Sequence, residues 1–101
     1  MKKILLDFQV TETPEQVQDY LALELEFPEY YGKNLDALYD MLTERCEDTC
    51  IGFFEGDERP VSRYIHKVKR VFADAEQENP HLCVIFSNLE DNYEQDEDFG
   101  I

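Results

Sequence analysis

Residues 28–43 read PEYYGKNLDALYDMLT and join a loop to a helix. Pro28 ends any helix that precedes it, because the residue before a proline avoids helical backbone angles. Asn34 is a typical N-cap residue, whose side chain accepts a hydrogen bond from the first helical turn. We therefore predict a helix from Leu35 to about Arg45, and Gly32 allows a sharp turn in the loop before it.

The apolar residues of this helix are spaced for one buried side. At about 100° per residue, the predicted stripe consists of Leu35, Leu38, Met41 and Leu42. Asp36, Asp40 and Thr43 share an adjacent, solvent-facing side, with Tyr39 on the border. Two aspartates one turn apart cost an isolated helix about 0.2–0.5 kcal/mol. Because a positive charge would relieve the repulsion between these two carboxylates, this face of the helix suits a cationic partner.

Two consecutive tyrosines, Tyr30 and Tyr31, precede the helix. A two-residue step in a loop rarely buries both side chains, so we expect at least one of them to point outward. A charged helix face alone is a common solvated surface. An exposed tyrosine beside carboxylates instead favours a binding hot spot, in which the ring supplies contact area and the acids supply specificity.

Apolar runs and helical patterns alternate along the rest of the chain. We predict strands at 2–8, 50–54 and 82–86, a helix capped by Thr13 that ends before Pro28, and a long helix from Pro60 to about Glu78. The predicted buried residues of these two helices are Val17, Tyr20, Leu21, Leu23 and Leu25, then Val61, Tyr64, Ile65, Val68, Val71 and Phe72. The apolar runs lack alternation, which is typical of strands covered on both faces or of a parallel sheet.

The order of these elements is strand, helix, helix, strand, helix, strand. Alternating strands and helices predict a parallel sheet with helical crossovers. If the strands are added in chain order, both crossovers lie on one face. The sequence therefore predicts a two-layer α/β domain over residues 1–87, followed by an acidic tail at 88–101, which has no basic residue.

Charge restricts the classes of partner. The chain has 24 acidic and 9 basic residues and a formal net charge of −15. This field repels nucleic acids and anionic membranes, attracts a basic protein, and favours a monomer when the protein is free. We find no signal peptide and no apolar stretch long enough to span a membrane.

The sequence offers little for catalysis or for a cofactor. Cys46, Cys50 and Cys83 form an odd set without a secretion signal, which indicates reduced thiols in the cytoplasm. Cys83 lies in an apolar run and is expected in the core. Asp36 and Asp40 are on a convex helix face, and no nucleophile–base motif, phosphate-binding glycine loop or metal-ligand cluster accompanies them. We therefore expect no enzyme, no cofactor and no metal.

Residues 28–43 resemble the signature segment of the barstar family, almost without interruption. Weaker similarity extends over most of residues 2–87, including 23–25 and 71–75. The resemblance implies a barstar-like domain with a three-stranded parallel sheet packed against helices. It also implies an intracellular bacterial inhibitor, or immunity protein, that blocks the basic active site of a secreted or toxin-type, barnase-like ribonuclease.

The resemblance further implies roles for individual residues. It places Asp40 where an RNA phosphate binds, against the arginines and catalytic histidine of the enzyme. Asp36 then pairs with further basic groups, and Tyr30 covers the mouth of the cleft. The residues expected to contact the partner, some of them through the backbone, are Tyr30, Gly32, Asn34, Asp36, Tyr39, Asp40, Thr43 and Asp74.

Several positions depart from the family pattern. Tyr39 stands where a tryptophan is expected, Lys33 replaces an acidic residue, and Asp74 is shorter than the expected glutamate. The segment between Phe54 and Val71 is also shorter, which implies that one family helix is reduced to a turn. These differences suggest a different cognate enzyme. The alternative reading is an acidic binding module, or an immunity protein, for another basic toxin or nucleic-acid-binding protein.

Overall fold

The computed structural model describes residues 1–54 and 58–86, and the acidic tail predicted at 88–101 lies outside this range. The elements are β1 (Lys2–Asp7), a 3-10 turn (Phe8–Val10), α1 (Pro14–Glu24), α2 (Leu35–Thr43), β2 (Thr49–Phe54), α3 (Ser62–Glu78) and β3 (Leu82–Phe86). The predicted order of strands and helices is confirmed. The segment in which a family helix is predicted to be reduced to a turn includes residues 55–57, which are not described. In its described part, residues 60–61 form a turn directly before α3.

The three strands form one parallel sheet in the order β1-β2-β3, as predicted. Ile4 on β1 pairs with Ile51 on β2, which pairs with Val84 on β3. Successive residues point to opposite faces of a strand, and the residues on the face of Ile4 and Ile51 are the buried ones. On the opposite face, Leu5 is 66% exposed and Ile85 is 54% exposed. Within the described residues, the helices therefore cover one face of the sheet.

The core lies between that face of the sheet and the three helices. Its centre is aromatic: the ring of Phe53 on β2 lies 5.6 Å from that of Phe8 and 4.8 Å from that of Phe72 on α3. Leu21 of α1 and Leu38 and Leu42 of α2 are fully buried in the same cluster. Each such side chain contributes about 1.5–3 kcal/mol relative to an exposed one.

Some predicted positions are wrong. Leu23 is 73% exposed, because it lies about 200° around the helix from the buried Leu21. Cys83 is half-buried on the outer face of the sheet, outside the core. The helix predicted from Pro60 begins at Ser62, whose hydroxyl accepts a hydrogen bond from the backbone N–H of Arg59 at 2.9 Å.

Further predicted core residues are only partly buried. They pack against the edge of the core and comprise Tyr20, Leu35, Met41, Tyr64 and Val71. The helix predicted to reach Arg45 ends at Thr43.

Asn79 joins the end of α3 to the end of α2. Its buried side-chain amide donates to the carbonyl of Leu42 at 2.8 Å and to that of Arg45 at 2.9 Å. Its side-chain oxygen accepts from the backbone N–H of His81 at 2.9 Å. The last carbonyls of a helix have no partner inside the helix, so Asn79 supplies one for the C-terminus of α2.

We expect Asn79→Ala to lower the free energy of unfolding by about 1–3 kcal/mol. The carbonyl of Arg45 loses this donor, and the buried carbonyl of Leu42 is left with the backbone N–H of Arg45 at 3.4 Å. Urea unfolding followed by circular dichroism measures this loss. Gln77→Ala is the control, since Gln77 is exposed on the same helix and its loss is expected to change stability by less than about 0.5 kcal/mol. Equal effects of the two changes would contradict the structural role of Asn79.

Candidate partner-binding site

The helix α2 begins where the side chain of Asn34 caps it. Asn34 has an extended backbone, and its Oδ1 accepts a hydrogen bond from the backbone N–H of Ala37 at 2.7 Å. Its amide nitrogen also lies 3.4 Å from the carbonyl oxygen of Gly32, at the long end for a hydrogen bond. The Asn34 side chain is thus used within the protein, and only its backbone remains for a partner.

The acidic face of α2 points away from the core. Leu38 and Leu42 are fully buried, whereas Asp36 and Asp40 are exposed. The two aspartates are about 40° apart around the helix axis and therefore form one surface. Among residues 1–54 and 58–86, neither carboxylate has an ion-pair or side-chain hydrogen-bond partner.

The two tyrosines of the loop separate into one buried and one exposed side chain. Tyr31 is 5% exposed and Tyr30 is 81% exposed, so the expectation that at least one points outward is correct. The hydroxyl of Tyr31 donates to the side-chain oxygen of the buried Gln18. The amide nitrogen of Gln18 in turn donates to the hydroxyl of Tyr64 at 2.7 Å. This chain connects the loop to α1 and α3 and leaves Tyr30 at the surface.

Burial raises the pKa of Tyr31 above its ordinary value of 10.0, and the nearby Tyr64 adds to the shift. The neutral hydroxyl is therefore the favoured form in the folded protein.

Lys33, and not Gly32, has the left-handed backbone of the loop, with φ of 55°. The conformational freedom expected of Gly32 is therefore not what the turn uses. The space around Gly32 is tight instead, since an added Cβ would lie 3.3 Å from the Cβ of Ala37. The ammonium group of Lys33 lies 2.8 Å from the carboxylate of Asp19 on α1. Lys33 is thus paired with α1.

The remaining predicted site residues differ in exposure. Tyr39 is half-buried and packs against the core. The hydroxyl of Thr43 donates to the carbonyl of Tyr39 at 2.9 Å and contacts that of Asp40 at 3.2 Å, so it turns back onto its own helix. Asp74 is exposed on α3, which packs against α2. Seven of the eight predicted residues therefore lie on one continuous loop and helix, and Asp74 lies on a separate element.

Sequence reasoning missed the contacts that hold this loop in place. Gln18 was given no role, although it occupies a helical spacing with Leu21 and Leu25 on the buried side of α1. A glutamine at such a position is a signal for a buried polar network. The pairing of Lys33 with Asp19 has no comparable signal, because it depends on how the loop approaches α1.

Within 1–54 and 58–86, no three His, Cys, Asp or Glu side chains are grouped so that they could hold a metal ion. No helix in the same ranges has the length and apolar character needed to cross a bilayer.

The fold and the site define a small α/β protein that presents an acidic helix beside an exposed tyrosine. The family model described as Barstar (barnase inhibitor) matches residues 1–100. The chain belongs to the barstar family.

A relative in Bacillus subtilis (strain 168) is similar over part of the chain. It is named "Putative ribonuclease inhibitor YrdF" and is 51% identical over 43 residues. The match covers 43% of this chain and 47% of the relative. The aligned part thus spans about half of the length of that protein.

We expect Tyr31→Phe to lower the free energy of unfolding at neutral pH by about 1–3 kcal/mol, because the buried Gln18 loses a hydrogen-bond donor. Tyr30→Phe is the matched control, since its ring is exposed and no change above about 0.5 kcal/mol is expected. Urea titration of both variants measures the difference. A Tyr31→Phe protein as stable as the control would show that the hydroxyl does not anchor the loop.

We also expect the protein to lose stability in alkaline solution. The raised pKa of Tyr31 means that its hydroxyl ionises in the unfolded chain before it ionises in the folded one. The stability that this hydroxyl contributes to the fold is fully present below its ordinary pKa of 10.0, and it is lost as the pH rises above that value. Tyr31→Phe should reduce this dependence, and part should remain because burial also raises the pKa of Tyr20. Urea unfolding at about pH 8 and about pH 11 tests this, and an unchanged dependence in the variant would contradict it.

Proposed function

We propose that this protein is an inhibitor of a basic, barnase-like ribonuclease and that it blocks the active site with α2 and the loop before it. In this proposal the carboxylates of Asp36 and Asp40 take the place of RNA phosphates. Membership of the barstar family supports inhibition of a ribonuclease, and so does the printed name of the Bacillus relative.

The observation that carries the mechanism is the unpaired acidic face of α2. Asp36 and Asp40 are exposed, and neither is neutralised by a cation of the described residues. Two carboxylates held about one helical turn apart can accept charge-assisted hydrogen bonds from arginine or lysine side chains. The net charge of −15 adds long-range attraction to a basic enzyme and speeds the encounter.

The loop adds contact area without a large ordering cost. Tyr30 is exposed next to Tyr31, whose hydroxyl is tied to Gln18. A loop that is already ordered loses little conformational freedom on binding, which favours affinity. In the proposed complex, Tyr30 covers the mouth of the cleft.

The other proposed contacts are of lesser weight. The backbone of Gly32 and Asn34 faces the enzyme, and Tyr39 borders the acidic face. Thr43 contributes contact area, because its hydroxyl is already bonded to its own helix. Asp74 adds a charge from α3. Since the proposed role is occlusion, no residue of this protein acts as a catalyst, and no cofactor takes part.

The proposed setting follows from the partner. A cell that makes a toxic ribonuclease needs the inhibitor where its own RNA is, in the cytoplasm. The three free cysteines agree with a reducing compartment. We propose that the free protein is a monomer, because its net charge opposes self-association.

We expect Asp40→Ala and Tyr30→Ala to weaken binding to the cognate ribonuclease by about 2–5 kcal/mol each, through a lost charge pair and a lost aromatic contact. Truncation after Ser87 should have a much smaller effect. Titration of ribonuclease activity with each inhibitor variant measures the change. Glu12→Gln is the control for Asp40, since it also removes one exposed negative charge but lies outside α2 and its loop.

The outcomes separate the proposal from its alternative. Equal affinity of the Asp40→Ala variant and the unmodified protein would reject the role of that residue. Capture of a basic protein at low salt without inhibition of a ribonuclease would favour the alternative, a binding module or immunity protein for another basic toxin. Circular dichroism of the variants checks that they fold, which is expected because neither side chain belongs to the buried cluster.

We expect association to slow as salt concentration rises, while dissociation changes less, because exposed charges are screened over about 8 Å at physiological ionic strength. Stopped-flow mixing at several salt concentrations gives the association rate. The salt dependence should be weaker for Asp36→Asn and Asp40→Asn than for the unmodified protein. An association rate that ignores salt would contradict electrostatic steering.

A further inference from the structure

Cys50 and Cys83 lie side by side on the outer face of the sheet. They are register partners on the neighbouring parallel strands β2 and β3. Their sulfur atoms are 3.3 Å apart, and both side chains are half-buried. This face is opposite to the one that packs against the helices, so the pair lies outside the proposed ribonuclease-binding surface.

We propose that Cys50 and Cys83 form a reversible redox site, at which a low-molecular-weight disulfide oxidises the two thiols to a disulfide that joins β2 to β3. Adjacent strands are about 4.8 Å apart, and the Cα atoms of a disulfide are usually about 4.4–6.8 Å apart. The bridge therefore needs side-chain rotation and little movement of the backbone.

The chemistry is thiol–disulfide exchange in two steps. The thiolate of Cys50 attacks one sulfur of the small disulfide, so that a mixed disulfide forms and one small thiolate leaves. Cys83 then loses its proton and attacks the sulfur of Cys50, and the second small thiolate leaves. The protein loses two electrons and two protons, and the oxidant is reduced to two thiols.

The order of attack follows from the surroundings of the two thiols. Contact with Cys50 and burial raise the pKa of Cys83, and the carboxylate of Glu76 adds to the shift. A raised pKa leaves less of the reactive thiolate at Cys83, so the proposal takes Cys50 as the first nucleophile. Once Cys50 is in the mixed disulfide, Cys83 is already in position to resolve it.

The bridge would have a local effect on the sheet. Within the part of the chain that the structure describes, β3 pairs with β2 on one side only, so it is an edge strand of this sheet. A link at Cys83 joins this edge to the central strand, and residues 83–86 should open less often. In a reducing compartment such bonds form transiently and serve as sensors of oxidants.

The test uses the full-length protein and oxidised glutathione. We expect two of the three free thiols to disappear together, and dithiothreitol to restore them. Cleavage after Arg70 separates the two cysteines, so mass spectrometry without reduction should find the Cys50 peptide linked to the Cys83 peptide. The oxidised monomer should melt at a higher temperature, and amide exchange in β3 should slow.

Two variants serve as controls. Cys46→Ser should still form the link between Cys50 and Cys83, because Cys46 is exposed and its thiol contacts the carbonyl of Glu44. Cys83→Ser should stop at the mixed disulfide with glutathione on Cys50. In the Cys46→Ser protein, which lacks the exposed third thiol, stable glutathione adducts on Cys50 or Cys83, disulfide-linked dimers, or two thiols that survive the oxidant would each overturn the proposal, and none of these results depends on ribonuclease binding.

Discussion

The proposed binding surface depends on how α2 is held, because this helix is not stable by itself. It has nine residues, fewer than an isolated helix needs in water, and its two aspartates repel each other. Burial of Leu38 and Leu42 fixes its inner side. Asn34 satisfies the first turn, and Asn79 satisfies carbonyls at the other end. Tertiary contacts thus hold an acidic helix that its own sequence would not maintain.

In the loop before α2, buried side chains likewise hold an exposed side chain in place. Tyr31 is buried and hydrogen-bonded to Gln18, while its neighbour Tyr30 is exposed. Lys33 adopts a positive φ that is uncommon for a residue with a Cβ, and its ion pair with Asp19 accompanies this geometry. The binding surface is therefore ordered by side chains that do not belong to it. Among the described residues, the side chain of Tyr30 is not used to stabilise the fold, so it is available to contact a partner.

The sequence predicts the fold well because apolar runs and helix caps are local signals. The strand order, the cap at Asn34 and the burial of Leu38 follow from them. Leu23 differs from its prediction because its apolar side chain favours burial, whereas its angle around α1 places it on the exposed side. Two features could not be predicted: the positive φ of Lys33, and the hydrogen bond from the side chain of Asn79 to the carbonyl of Leu42. Both depend on elements that meet only in the folded chain. For the candidate site, the sequence predicts which residues lie in the loop and on α2. It does not predict the contacts of Gln18 and Asp19 that hold the loop in place.

The charge of the protein is distributed so that the acidic face stays uncompensated. Several of its basic side chains bind groups other than the carboxylates of Asp36 and Asp40. Arg45 donates to the carbonyl of Leu25 at 3.2 Å, at the end of α1, and Arg59 donates to the carbonyl of Phe8 at 2.7 Å. Lys33 is drawn toward α1 by Asp19. An exposed ion pair contributes little stability, so pairing the acids of α2 within the protein would add little to the fold. It would, however, remove the charge that a basic partner could recognise, and the arrangement seen here keeps that charge available.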